Sequence, residues 1–474
     1  MAFLPVFWAL QAGKTAQNLR YGFLYGFITV ALLFPWIAET VTLFGDLPAA
    51  AGLGILLLFS AAFGTPYVLI WGTVHPLRER LGPWWVAVTP AVAVLTEYGT
   101  SFVTLFPYQH GSTFYRVPTL MQITSVTGVW GLTYLIYLVN CGLAEVLYRR
   151  RDGTAEFPRW AVAIPLLAVA LVLAFGTWRF AHIEAALQEA PTLRMAQIQL
   201  ETTMVERMRS DGRRTLKKWI AATAEIEPGT ADIVVWSEAA YPYYLNEEPD
   251  ETLSALARNG QFELIVGAGA REPAPGASKD DFHTFNTVYF FDAKGNLVDR
   301  YDKIVPVPFG EYIPGAGLFP QLEALIPTEG MFRPGDVATV VEGAHARIAS
   351  PICYEAIFGR ICRRFEEPDL IVNVTNDGWF GDTAAPHQHA MLAVLRATEL
   401  GVPMFRAAYS GVSMVVEPHG RIVAETVPFT AVNRIVVVRS QTFSTLYGRL
   451  GDWFVLFCLG VVGLTGMLSS IRDD

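Results

Sequence analysis

Apolar positions fall into two regimes along the chain. In the first 190 residues they form long uncharged runs separated by short basic loops. From Leu193 onward they form short runs divided by turns and polar helical stretches. A helix crossing a hydrocarbon core of ~30 Å needs roughly 20 apolar residues. Residues 160–178 and 453–471 meet that need, bracketed by Arg159 and Arg179 and by Asp452 and Arg472, and residues 117–144 hold no charge at all. Runs near 20–40, 49–74 and 84–105 bring the expectation to six spans. Tyr21, Trp36, Trp84, Trp85, Trp160, Trp178 and Trp453 lie near run ends, where amphipathic rings favour the membrane interface. Residues 2–10 are too short to span. No basic stretch precedes them and no small-residue cleavage site follows, so they read as a shortened helix or an interfacial segment.

The second regime alternates. Strands are expected over 193–199, 232–236, 263–269, 286–292, 346–352 and 369–375, and helices over 203–225, 250–259, 355–365 and 387–400. Near-continuous apolar strands between helices predict an α/β domain whose sheets are covered on both faces. Residues 276–281 (GASKDD) read as a loop tip. The expected organisation is a transmembrane region over 1–182, a soluble domain over 183–450, and a last span with a short tail over 451–474.

Composition sharpens this division. Only 17 % of the 474 residues are charged and mean hydropathy is +0.33, which excludes a disordered chain, a collagen-like chain and a basic nucleic-acid binder. Residues 1–190 carry 10 Lys+Arg and 9 Asp+Glu, so the remaining 25 Lys+Arg and 35 Asp+Glu fall on the other 284 residues. The net charge of −9 is therefore +1 in the first part and −10 in the second. Lys14 and Arg20, Arg78 and Arg80, and Arg149–Arg151 lie in alternate loops. By the positive-inside rule these loops are cytoplasmic, and residues 183–450 face outside. Glu97 falls within the third span. Such a carboxylate is a functional candidate or a hydrogen-bonded part of the bundle.

Reactive groups stand at three strand ends: Glu238 after DIVVWS, Lys303 in RYDKIVPVPFGEYIP, and Cys353 in ICYE. If the fold brings them together they form a nucleophilic site; singly, a Glu after a strand fits a solvated loop residue and a lone Cys an inert core residue. The carboxylate takes the thiol proton, the thiolate attacks a carbonyl, and the cation stabilises the oxyanion. A thiol deprived of its base is expected to ionise near its reference value of ~8.5. Of four cysteines, Cys141 and Cys458 lie in spans, and a Cys353–Cys362 disulfide is opposed if 355–365 is one helix, since nine residues then separate the two by over two turns. His387 and His389 lack partners at metal spacing, so no metal site is expected. Arg396 and Glu399, at i and i+3, read as a helix-stabilising ion pair.

The order WSE, NT, YDK…PFGEY.P, CYE, NDGWFG resembles the nitrilase superfamily. With the flanking membrane helices the chain looks like the apolipoprotein N-acyltransferases of the bacterial inner membrane. The resemblance implies an αββα nitrilase-like sandwich inserted between transmembrane helices of a polytopic α-helical membrane protein. It implies a Glu238–Lys303–Cys353 triad, with Glu311, Tyr354 and Glu355 as supporting residues. It also implies a phospholipid acyl donor such as phosphatidylethanolamine, a diacylated apolipoprotein acceptor, and no metal or organic cofactor. Glu311 fits either an anchor for the Lys303 ammonium or a loop brace, and Glu355 either an essential carboxylate or a first-turn acid favoured by the helix dipole. Asn376, Asp377, Trp379 and Phe380, on the loop after the 369–375 strand, fit either an acyl pocket or core packing. The stretch AQIQLETTMVERM lacks the Lys-Trp that the family carries after the first strand of the domain. Two other readings share these residues: a membrane-tethered amidohydrolase in which water resolves the acyl-enzyme, and a non-catalytic membrane scaffold.

Overall fold

The computed structural model describes residues 3–10, 15–45, 47–104, 106–151, 153, 158–209, 212–245, 250–274, 282–315 and 332–473. Lys14 and the 276–281 loop tip lie outside the described residues. The chain divides into two compact units, residues 1–181 with 445–474 and residues 182–444.

Among the described residues of the helical unit, three stretches are long and apolar enough to cross a membrane: Ala49–Thr100, Trp130–Arg151 and Trp160–Leu187. The bent pair Thr15–Leu33 and Trp36–Leu43 makes a fourth, and Trp453–Met467 is a shorter apolar helix. The first stretch reverses on itself. Trp71 meets Tyr137 with ring centroids 6.1 Å apart and Arg78 meets Glu145 at 3.6 Å, so the Tyr67–Leu81 helix runs parallel to Trp130–Arg151. Trp85 Nε1 donates to Glu145 at 2.8 Å and Thr133 Oγ1 to Glu97 at 2.9 Å, so the Trp85–Thr100 helix runs the other way. The reversal falls at Gly82, whose φ of +53° suits glycine.

The span expected over 117–144 is displaced. Residues Pro118–Met121 and Thr124–Thr127 form two short turns, and the long helix begins at Trp130 and continues to Arg151. Gly128 interrupts it at φ +64°. Glu145, buried in the displaced part, is neutralised by Arg149 at 2.6 Å, so a charge inside the helix does not end it. Glu97 takes the hydrogen-bonded alternative, with His110 Nδ1 at 2.5 Å, the His110 N–H at 3.2 Å and the Thr133 hydroxyl as partners. The short helix Leu4–Ala9 places Phe7 in the buried aromatic core with Trp71 and Trp85.

The second unit holds two six-stranded sheets. The strands are β1 (Thr192–Gln199), β2 (Ile233–Val235), β3 (Glu263–Pro273), β4 (Phe282–Phe291), β5 (Leu297–Asp302), β6 (Val340–Glu342), β7 (Arg347–Ala349), β8 (Leu370–Thr375), β9 (Met404–Ala408), β10 (Met414–Val416), β11 (Ile422–Glu425) and β12 (Val432–Arg439). One sheet has the order β12-β1-β2-β3-β4-β5 and the other β11-β10-β9-β8-β7-β6. β1, β2 and β3 are parallel, as are β7, β8 and β9. Helices Arg213–Ala224 and Glu251–Gly260 lay Trp219, Leu253 and Ala257 on the first sheet. The second is Asp250-capped, its carboxylate accepting the Thr252 and Leu253 N–H groups. Helix Ala385–Leu400 covers the second sheet. Between the sheets, Gln199 Oε1 accepts from the Ser413 and Thr426 hydroxyls at 2.7 and 2.8 Å. The helix expected over 355–365 is instead a tight turn, Cys353–Ile357, followed by the single turn Gly359–Cys362.

Close helix packing in the first unit depends on Gly26 and Gly64. A Cβ on Gly26 would stand 2.0 Å from the Gly64 carbonyl oxygen, and backbone cannot yield as a side chain does. Gly26→Val is expected to force the Thr15–Leu33 helix off Ala49–Gly64, costing about 1–3 kcal/mol as overpacking does. A lower thermal midpoint in detergent, with Gly54→Val unchanged because nothing lies within 4 Å there, is the measurement that checks it.

Candidate active site

The site forms where strands of both sheets end. β3 and β5 run the same way, each antiparallel to β4, so Glu238, three residues past β2, and Lys303, directly after β5, leave one edge of the first sheet. Cys353, four residues past β7, and Asn376, directly after β8, leave the second sheet; an Ile352–Val374 bridge holds these two exits together. Carboxyl ends of strands are the usual place for ligands in α/β sheets. Gly267 of β3 lets the Glu238 turn close in, since a Cβ there would lie 2.3 Å from the Ser237 carbonyl oxygen.

Lys303 is 1 % exposed and its Nζ donates to Glu311 Oε1 at 2.9 Å and Glu238 Oε1 at 3.3 Å. Asn286 Nδ2 donates to both carboxylates, at 2.8 Å to Glu238 and 2.6 Å to Glu311. Backbone N–H groups complete the arrangement: Asn376 to Glu238 Oε2 at 2.8 Å and Val307 to Glu311 Oε2 at 2.7 Å. Burial pulls the Lys303 ammonium down, yet Glu311, Glu238 and Cys353 together raise it above its ordinary value. It is a cation in the resting site.

Cys353 is buried and holds φ at +50°. That left-handed conformation costs a side-chain-bearing residue about 1–2 kcal/mol and turns the thiol sharply off the strand exit. Burial, then the Glu238 carboxylate, push the thiol up; Lys303 pulls it down without overcoming them. The thiol rests as S–H, and a lone thiolate would add charge to a site that already holds two carboxylates and one ammonium. Passing the proton to Glu238 leaves the net charge unchanged, which is what a buried site tolerates.

Glu355 is a clamp between the sheets. Its Oε1 accepts the Ile304 and Val305 N–H groups at 2.7 and 3.0 Å, its Oε2 accepts the Ile352 N–H at 2.7 Å, and the Tyr301 hydroxyl donates to both oxygens. The turn carrying Lys303 and the turn carrying Cys353 are thus tied through one fully buried carboxylate. Burial pushes that carboxyl up to about 7, against the pull of Lys303 and the backbone donors.

The loop after β8 divides. The Asn376 side chain caps the Gly378 N–H at 3.2 Å. Trp379 and Phe380 are half-buried on the turn Asp377–Phe380, and Tyr354 packs against Phe358 with ring centroids 4.9 Å apart. Asp377, expected among the acyl-pocket residues, instead turns into the protein interior. It is fully buried and pairs with Arg406 at 3.0 Å and His389 at 2.7 Å. Burial raises its carboxyl, but Arg406 and His389 overcome this and hold it down to about 2. Asn286, Tyr301, His389 and Arg406 were not among the residues expected at the site. Asn286 had a signal in the NT dipeptide; the other three are joined to it only by contacts between distant segments.

Cys353 and Cys362 are both free thiols. The expected continuous helix over 355–365 does not form between them, and Cys362 Sγ lies 3.7 Å from the Glu355 carbonyl oxygen. Arg396 pairs with Glu399 at 2.8 Å, both buried, and also donates to the Ile357 carbonyl at 2.9 Å, so this pair braces the Cys353–Ile357 turn. Among the described residues, Glu184, Glu417 and His419 have their ligand atoms within 4.8 Å of one another. Arg421 and Arg439 lie against the same carboxylates, so the charge a metal ion would balance is already balanced.

Two facing sheets with helices outside define a carbon-nitrogen hydrolase domain, and the carbon-nitrogen hydrolase family model matches residues 193–441. The apolipoprotein N-acyltransferase N-terminal domain model matches residues 1–142. An apolipoprotein N-acyltransferase from Geobacter metallireducens is 30 % identical over 486 residues, covering all of this chain and 91 % of that protein. One from Rhodopseudomonas palustris is 30 % identical over 466 residues, covering 94 % and 82 %. Among solved structures, a carbon-nitrogen hydrolase from Helicobacter pylori G27 is similar over 60 % of this chain and 95 % of its own, with TM-score 0.38 and 14 % identity. The chain belongs to the apolipoprotein N-acyltransferase family.

The Asp377 pairing has a pH signature. Its folded-state value of about 2 lies below the ordinary 3.8, so its contribution to stability is present above about pH 4 and is lost as pH falls towards 2. The stability gap between the wild type and Asp377→Asn is expected to narrow by about 1.5–2 kcal/mol between pH 6 and 2.5. Urea unfolding followed by fluorescence at pH 6, 4 and 2.5 measures it.

Proposed function

We propose that this protein transfers an acyl chain from a phospholipid to the α-amine of the diacylglyceryl-cysteine at an apolipoprotein N-terminus, through a thioester on Cys353. The observation that carries this reading is the buried Lys303 ammonium bonded to Glu238 beside the strained Cys353 turn, in a chain whose relatives are named apolipoprotein N-acyltransferases. Membrane association follows from the family and the apolar helices.

In the first half-reaction Glu238 takes the Cys353 proton and the sulfur attacks the ester carbonyl. Lys303 lies where the oxyanion forms, and a fixed cation in a dry site stabilises it strongly. Collapse breaks the C–O bond, and the departing lysophospholipid oxygen takes the proton from Glu238. In the second half the acceptor amine attacks the thioester, Glu238 accepts an amine proton, and an amide forms as the thiolate leaves and is reprotonated. The acyl group stays covalently activated throughout, so neither a metal nor an organic cofactor enters the scheme. Glu311 holds the ammonium, Glu355 holds the two turns in register, and Tyr354, Asn376, Trp379 and Phe380 border the acyl group. We take the donor to be phosphatidylethanolamine, the membrane to be the bacterial inner membrane, and residues 183–450 to face the periplasm, from the alternation of basic loops. Both substrates then keep their chains in the bilayer during reaction.

Two variants separate base from oxyanion holder, with single-turnover acylation by phospholipid as the readout. Lys303→Met is expected to lose ~10²–10³ in rate at every pH, as loss of one oxyanion partner does. Glu238→Gln is expected to be slow at neutral pH and to accelerate continuously as pH rises past the ordinary thiol range of ~8.5, because burial holds the Cys353 thiol up. Identical pH profiles for the two variants would show that the roles are not divided this way.

A further inference from the structure

Cys353 carries a backbone conformation that an L-residue keeps only when its surroundings over-determine it. On one side Glu355 holds the turn through the Ile352 N–H. From the other side the turn is met by Asn373, a fully buried asparagine within β8. Asparagine is depleted in strands, and a buried amide needs hydrogen-bond partners at both of its ends. Asn373 Nδ2 donates to the Pro351 carbonyl at 2.7 Å and reaches the Cys353 carbonyl, a longer contact, at 3.5 Å. The carbonyls of the residues on either side of Ile352 thus face one amide group.

The neighbouring strand fixes which way that amide points. Asn373 lies opposite Arg406 in the parallel register of β8 and β9, and Arg406 Nη1 donates to Asn373 Oδ1. A guanidinium has donors and no acceptor. Oδ1 therefore has to face Arg406, which leaves the NH2 group directed at the Cys353 turn. Arg406 is itself held, its Nη2 paired with Asp377 at 3.0 and 3.1 Å and its Nε donating to the Val412 carbonyl at 3.1 Å. It is fully buried, as is Asp377. Groups packed this deeply have little freedom to reorient, and a rigid support of that kind holds reacting groups in place without joining the chemistry.

We propose that Asn373 is a positioning residue for the nucleophile: with its amide oriented by Arg406, it holds the Pro351 and Cys353 carbonyls and so keeps the thiol within reach of Glu238. This rests on Cys353 being the nucleophile. It assigns a function to a strand residue that lies outside both the triad and the NDGWFG motif. The amide bonds backbone carbonyls rather than the reacting sulfur, so its loss appears as misplacement of the thiol. A displacement of about 1 Å is enough to cost ~10²-fold in rate.

Two variants in the full-length protein test it. Asn373→Asp keeps the size and the acceptor that Arg406 needs but removes the donor. Asn373→Leu has a similar volume and removes donor and acceptor without adding charge. Three quantities are read on the folded protein: the single-turnover rate of acylation by phospholipid, the phospholipid concentration at which that rate is half-maximal, and the pH dependence of Cys353 alkylation by iodoacetamide. Alkylation is followed by mass spectrometry of the Cys353 peptide, and the thermal midpoint reports the fold separately. Both variants are expected to acylate about 10²-fold more slowly, with the half-maximal concentration unchanged. Alkylation at neutral pH is expected to fall alike and to recover only above the ordinary thiol range of ~8.5, where a thiol parted from Glu238 ionises without it. Wild-type rates in Asn373→Asp would show that satisfying Arg406 is enough, and would overturn the inference. A lowered midpoint with the wild-type acylation rate and alkylation profile, a loss confined to the half-maximal concentration, or loss of the folded state in both variants also overturns it. Failure of the underlying reading looks different: the unsubstituted protein itself then gives no acyl adduct on Cys353, or Cys353→Ala still gives one.

Discussion

A buried ammonium organises the catalytic unit. Removing a lysine charge from water costs several kcal/mol unless anions and hydrogen bonds replace the lost hydration. Lys303 is given Glu311 and Glu238, and each carboxylate in turn needs donors, which Asn286, the Val307 N–H and the Asn376 N–H supply. Those donors come from β4, from the loop after β5 and from the exit of β8, so satisfying one ammonium draws both sheets to a single point. Burial first, and then the Glu238 carboxylate, push the Cys353 thiol up. In the proposed reaction, thiol activation is a movement of charge between Cys353 and Glu238 rather than the creation of one.

Around that point the structure holds residues in conformations they would not choose alone. Cys353 and Ala239, the residue after Glu238, both have positive φ. Glu355 from one direction, and Asn373 held by Arg406 from the other, bond the backbone of the Cys353 turn. The strained exits and the charged partners sustain each other: without the clamp the turn loosens, and without the turn Glu355 has no Ile352 N–H to accept.

The sequence announced the site better than its supports. Glu238, Lys303 and Cys353 stand at strand ends within recognisable motifs, and the strands that lead to them are long apolar runs. β5, β6 and β9 to β12 were not anticipated. β6 and β10 are three residues each, β12 alternates as a half-exposed edge strand, and β9 carries a buried arginine in its middle. The helix expected at 355–365 failed because Cys353 takes a positive φ and Phe358 an extended conformation before Gly359. The 117–144 span is displaced because an uncharged run does not by itself set helix bounds: Glu145 is carried inside the helix, bound by Trp85 and Arg149. His389, read only against metal spacing, owes its place to Asp377 and Arg406, 12 and 17 residues away along the chain. Such pairings depend on how strands stack and have no local pattern.

The central claim is that Cys353 holds the acyl group as a thioester before any acceptor amine arrives. Intact mass spectrometry of the purified protein, incubated with phosphatidylethanolamine of one defined acyl composition and no acceptor, tests it most directly. The account predicts a mass increase of one acyl group, removed by neutral hydroxylamine and absent in Cys353→Ala. An unmodified wild-type mass after full conversion of donor to lysophospholipid, or an adduct that persists in Cys353→Ala, would contradict it.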